Sequence, residues 1–108
     1  KGVLIIGSGN LVHNLRMVAW DKVNLAEYGY DWAITANNKF KQLIQDGNHK
    51  DLINYSGLGR EVQLAIPTPD HYLPLLYALA LKDKNEPVSF FNDKPVMGSL
   101  TITSVKIG

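Results

Sequence analysis

Three side chains near the start of the chain could do chemistry together: the Asn10 amide, the His13 imidazole and the Arg16 guanidinium. They are set three apart in Gly7-Ser8-Gly9-Asn10-Leu11-Val12-His13-Asn14-Leu15-Arg16, directly after the apolar run Val3-Leu4-Ile5-Ile6. If that stretch is helical, residues three apart are neighbours on one side. An amide, a titratable ring and a fixed cation on one side suit binding of, and proton transfer with, a polar substrate. A second histidine stands in Pro67-Thr68-Pro69-Asp70-His71-Tyr72-Leu73-Pro74-Leu75. Thr68 as N-cap and Pro69 at the first helical position predict a helix start, with His71 in its first turn. The positive end of the helix dipole disfavours an imidazolium there, and the neutral ring is the form that ligates a metal.

Each residue has a plainer reading. A lone histidine is ordinarily structural; His13 stands apart because it follows a glycine turn at a strand end, where open α/β sheets place their sites. His49, in Gly47-Asn48-His49-Lys50, reads as a solvated loop residue. Gly7-x-Gly9 is not a dinucleotide fingerprint, because Val12 stands where the third glycine belongs and no ribose-binding acid follows at the right distance. Arg16 could hold a substrate carboxylate through two parallel hydrogen bonds, or pair with Asp21. Trp20, Trp32 and Tyr77 read as core or pocket wall, whereas Tyr72, beside His71, is placed to contact an aromatic ligand.

The elements that must position these groups follow from pattern. The unbroken apolar run at residues 3–6 reads as a central strand. Residues 10–20 read as a helix with Leu11, Leu15 and Val18 inward. A longer helix is expected from Trp32 to about Gln45, capped by Asp31, with Ala33, Phe40, Leu43 and Ile44 as core and Asp46-Gly47-Asn48 as its stop. Residues 49–55 and 57–64 read as two short helical pieces. The helix begun at Pro69 carries Leu75, Leu76, Leu79 and Leu81, with Pro74 bending it. Two strands close the chain, at residues 87–91 and 98–107, joined by the turn Asn92-Asp93-Lys94-Pro95. The expected class is α/β: part of a single-domain enzyme with a central mixed sheet flanked by helices.

Composition narrows the function classes. A chain of 108 residues with 45% hydrophobic residues is one domain or a portion of one. Eleven basic and ten acidic residues are interspersed for a net charge of +1, with no clustered basic face for nucleic acid. There is no cysteine, hence no disulfide or Cys-based zinc site. No apolar run approaches the roughly 20 residues a membrane span needs, and no signal peptide is visible, so a cytoplasmic location is expected. Lys1-Gly2 leads at once into a core-type strand, which predicts that residues 1–108 are the C-terminal portion of something longer.

The segment from Gly2 to Arg16 closely resembles the stretch that carries the active-site histidine in class III extradiol ring-cleaving dioxygenases, in the branch named for 4,5-DOPA dioxygenase. Pro67-Thr68-Pro69-Asp70-His71-Tyr72-Leu73-Pro74-Leu75-Leu76-Tyr77 resembles a second hallmark of that branch, and Met97-Gly98-Ser99-Leu100 through Gly108 resembles its closing strand. Between about Asp21 and Asn54 the likeness is loose. The resemblance implies an oxygen-dependent enzyme holding one non-haem Fe(II), or Zn(II), per complete site. It makes His71 a metal ligand and His13 an acid/base that could also close the coordination sphere. It implies a catecholic substrate and O2, with Asn10 and Arg16 orienting the substrate. It also implies two further histidine ligands in an N-terminal segment with no counterpart here. The same two histidines could instead serve a non-catalytic or zinc-binding module, or a zinc hydrolase using Asp70 or Glu61 as base.

Overall fold

The computed structural model describes residues 2–108; Lys1, read as part of the lead-in, lies outside them. The expected α/β character holds, with four α-helices and four short strands. In chain order these are α1 (Asp31–Gln45), α2 (His49–Ile53), α3 (Arg60–Ala65), α4 (Leu73–Ala80), β1 (Val88–Phe91), β2 (Pro95–Val96), β3 (Leu100–Thr101) and β4 (Ser104–Ile107). The strands pair antiparallel, β1 with β4 and β2 with β3. None of the described helices is long and apolar enough to cross a membrane.

Helix α1 follows its sequence pattern. Ala33, Ala36, Phe40 and Ile44 recur at helical spacing and are buried. Asp31 is its first residue rather than its cap, where a carboxylate still suits the positive helix end. Gly47, with φ of 67°, takes the left-handed conformation that ends the helix. Asn48 then caps α2 by accepting the Asp51 N–H at 3.2 Å. Around α1 the core gathers Leu52 of α2, Val62 and Ala65 of α3, Leu79 of α4, and Leu11, Val12 and Tyr72 from the connecting segments.

Three expectations are corrected. Residues 3–6 form no strand, and Val3, Leu4, Ile5 and Ile6 are exposed, because no described strand lies alongside to pair with them. Residues 10–14 are extended, not helical: Thr101 N–H bonds Val12 C=O at 3.1 Å, and Asn14 N–H bonds Ser99 C=O at 3.1 Å. The Asn14 side chain also accepts the Arg16 N–H at 3.1 Å, a local bond that competes with helix; only 3₁₀ turns at Leu15–Met17 and Trp20–Lys22 follow. Finally, α4 starts at Leu73, not Pro69. A helix from Pro69 would drive the Pro74 ring into the carbonyl of Asp70. Instead Tyr72 and Leu73 N–H both bond Pro69 C=O at 2.9 Å in a separate turn, and Pro74 falls in the first turn of α4, where its missing donor costs nothing.

The closing strand is also broken, at residues 102 and 103, giving β3 and β4. Here Thr103 turns inward, and its hydroxyl lies 3.0 Å from Asn37 Oδ1 and 3.1 Å from Asp93 Oδ1. Asn37 Nδ2 donates to the same Asp93 oxygen at 3.1 Å, and Lys41 Nζ pairs with Asp93 Oδ2. This polar cluster ties α1 to the turn between β1 and β2.

Candidate functional site

His13 and His71 meet. Their rings stack with centroids 3.7 Å apart and planes 15° apart. His13 is half-buried on the extended segment, where its neighbours are pinned. The His13 N–H bonds Ala65 C=O at 2.9 Å, and His13 bridges to Leu100 in antiparallel fashion. Asn14 Nδ2 donates to Leu64 C=O at 2.8 Å, and Ser99 Oγ donates to Asn14 C=O at 2.6 Å. His71 is exposed, in the turn just before α4. Because the helix starts late, the His71 carbonyl is free of helical bonding and accepts the Asn10 N–H at 2.7 Å. Burial lowers the pKa of His13 below its ordinary 6.5, and the facing His71 lowers it further, against a smaller opposing push from its backbone hydrogen bond.

The pair comes together by a different route from the one the spacing suggested. Asn10, His13 and Arg16 do not share a helix side. The Asn10 side chain donates to Thr101 C=O at 2.9 Å. Arg16 is exposed and makes no ion pair among the described residues. Tyr72 is corrected outright: it is 1% exposed, packed against Phe40 and Tyr55, and its hydroxyl donates to Leu52 C=O at 2.6 Å. Burial, aided by Tyr55, lifts its pKa well above the usual phenol range. It is a core residue whose side chain is committed away from any ligand. The residues that sequence reasoning passed over are Ser99 and Thr101, whose segment anchors both sides of His13. Their β-branched, polar-rich stretch signalled a strand but not its partner.

A groove of about 560 Å³ opens on the His71 side of the pair. Asn10 and His71 are among its lining, and Leu4, Ile6, Pro74, Val105 and Ile107 give it apolar walls. Imidazole nitrogen is a donor chemistry that suits a first-row divalent metal. Two donors are fewer than such a metal takes from a protein, and no group of three or more His, Cys, Asp or Glu gathers among the described residues. The donor type fits such a metal; two donors alone do not complete a site for it.

An α/β unit that brings two histidines from distant segments into a ring stack is the class these features define. No family model matches the chain. It is 41% identical, over its whole length, to the 4,5-DOPA dioxygenase extradiol of Escherichia coli K12, and 32% identical over 79% of its length to the protein of the same name from Mirabilis jalapa. The chain spans about 40% and 30% of those relatives. The crystal structure of the uncharacterized protein JW3007 from Escherichia coli K12 matches 94% of this chain and 41% of that one, with a TM-score of 0.75 and 38% identity. Over this matched part, the chain matches proteins named 4,5-DOPA dioxygenase extradiol, the branch that its two histidine segments resemble.

Proposed function

We propose that the chain is the C-terminal portion of the catalytic domain of a metal-dependent extradiol dioxygenase that opens a catechol-type, DOPA-like ring with O2. The observation that carries this reading is the stacking of His13 on His71 at 3.7 Å from distant segments, in a chain 41% identical to a relative named for that activity. His71 and His13 would hold a non-haem Fe(II), or Zn(II) in the same donors, with two further histidines from the part of the protein outside this chain. Bound Fe(II) would supply dioxygen activation and a chelating point for both catechol hydroxyls, chemistry that redox-inert Zn(II) lacks.

The chain's own residues then have separable tasks. His71, on an exposed turn, offers its ring as a ligand without distorting a helix. His13, held by backbone bonds on both sides, is a fixed proton acceptor for a substrate hydroxyl and a donor back to the ring-opened product. Arg16, exposed and unpaired among the described residues, anchors a substrate carboxylate, with Asn10 orienting the ring. The apolar walls of the groove keep water from the reacting face.

The test is anaerobic reconstitution of the full-length protein with Fe(II), then oxygen uptake with DOPA and simple catechols. Stoichiometric metal with oxygen consumption and a yellow ring-opened product supports the reading. Bound zinc with no oxygen consumption on any catechol overturns it.

A further inference from the structure

Gly9 lies where the extended segment passes against the turn that carries His71. A Cβ at Gly9 would stand 2.1 Å from the His71 carbonyl oxygen and 3.1 Å from its carbonyl carbon, both backbone atoms. The Gly9 backbone is not in the left-handed region, so the need is for room rather than for conformational freedom. The segment cannot simply back away: Asn10, the next residue, is bonded on one side to His71 C=O and on the other, through its side chain, to Thr101 C=O. Thr101 adjoins Leu100, which bridges to His13. Any shift of the His71 turn away from Gly9 is therefore a shift relative to the His13 ring.

We propose that Gly9 is a positioning residue for the histidine pair: its missing side chain lets the His71 backbone dock on the segment carrying His13, and that docking sets the ring stack. The geometric claim stands alone; its bearing on metal binding rests on the proposed function. Gly57 provides the contrast, since a Cβ there meets nothing within 4 Å.

The experiment uses the full-length protein with Gly9→Ala and Gly57→Ala. In the metal-free form, above the histidine titration range, the imidazole Cε1–H resonances report the mutual ring-current shift of stacked rings. Gly9→Ala is expected to move the His13 and His71 resonances and leave His49 in place, whereas Gly57→Ala moves none. Zn(II) affinity of Gly9→Ala is expected to fall roughly ten- to hundred-fold, the range for losing support of a metal ligand. Unmoved His13 and His71 resonances overturn the proposal. Moved resonances in a protein whose wild type binds no metal uphold the positioning and sink the proposed function instead. Should Gly9→Ala fail to fold, Gly7→Ala is read in its place: a Cβ there presses the same segment more mildly against the turn and helix start after His71, 3.0 Å from the Pro74 carbonyl oxygen, and unmoved His13 and His71 resonances for it overturn the proposal.

Discussion

The two histidines have different anchorage, and this separates their expected variants. His71→Ala removes an exposed ring from a turn and is expected to leave the fold intact while metal content of the full-length protein drops sharply; full metal retention would remove its role as ligand. His13→Ala is expected to keep most of the metal and lose turnover, as read by metal analysis beside oxygen uptake; loss of both would make it a ligand too. Tyr72→Phe tests the opposite kind of residue. It strands the buried Leu52 carbonyl now bonded at 2.6 Å, for an expected loss of about 1–2 kcal/mol in denaturant unfolding. Turnover and KM per folded molecule should not change. The residue types at 13 and 71 were legible because few side chains besides histidine serve both proton transfer and ligation. Tyr72 was misread because it adjoins His71 in sequence. In a turn, adjacent side chains diverge, and its ring went to the core.

At the level of elements, α1 was legible because its apolar residues recur over four turns, enough to outweigh local alternatives. Segment 10–14 was not. Its extended form is imposed by pairing with residues 99–101, far along the chain, and no local pattern announces such a partner. The start of α4 was legible in principle, since Pro74 rules out a helix begun at Pro69. The Asp93 cluster yields a pH prediction. Burial pushes the Asp93 carboxyl up, but the bonds from Lys41 and Thr103, the Lys41 charge and the Asn37 bond outweigh it, so its pKa lies below the ordinary 3.8. Protonation then favours the unfolded chain. The stabilisation is complete above pH 3.8 and is lost as pH falls through the lower, folded value. Asp93→Asn is expected to destabilise the full-length protein by about 1 kcal/mol at neutral pH. It should also flatten the acid limb of urea midpoint against pH; an unchanged acid limb would remove Asp93 as its cause.

The whole molecule carries its apolar residues in an unusual place. Val3, Leu4, Ile5 and Ile6 are 77%, 82%, 59% and 79% exposed, and the last three line the groove. Contiguous apolar surface of this kind marks a face meant to be covered, and the chain spans about 40% of its Escherichia coli relative. The isolated 108-residue chain is therefore expected to bind a hydrophobic dye or self-associate, and the full-length protein to do neither. A dye-silent monomer of the isolated chain would contradict this. One further consequence comes from the bond between Asn10 and Thr101, which joins residues 91 apart in sequence. Such a bond forms only after nearly the whole chain has closed into a loop, and contacts of that range are slow to form. The His13–His71 stack closes a shorter loop of the same long-range kind. Under the proposed function, metal capture is then a late event in folding, and metal loss should track global unfolding rather than local fraying, so retained metal would report on a finished chain.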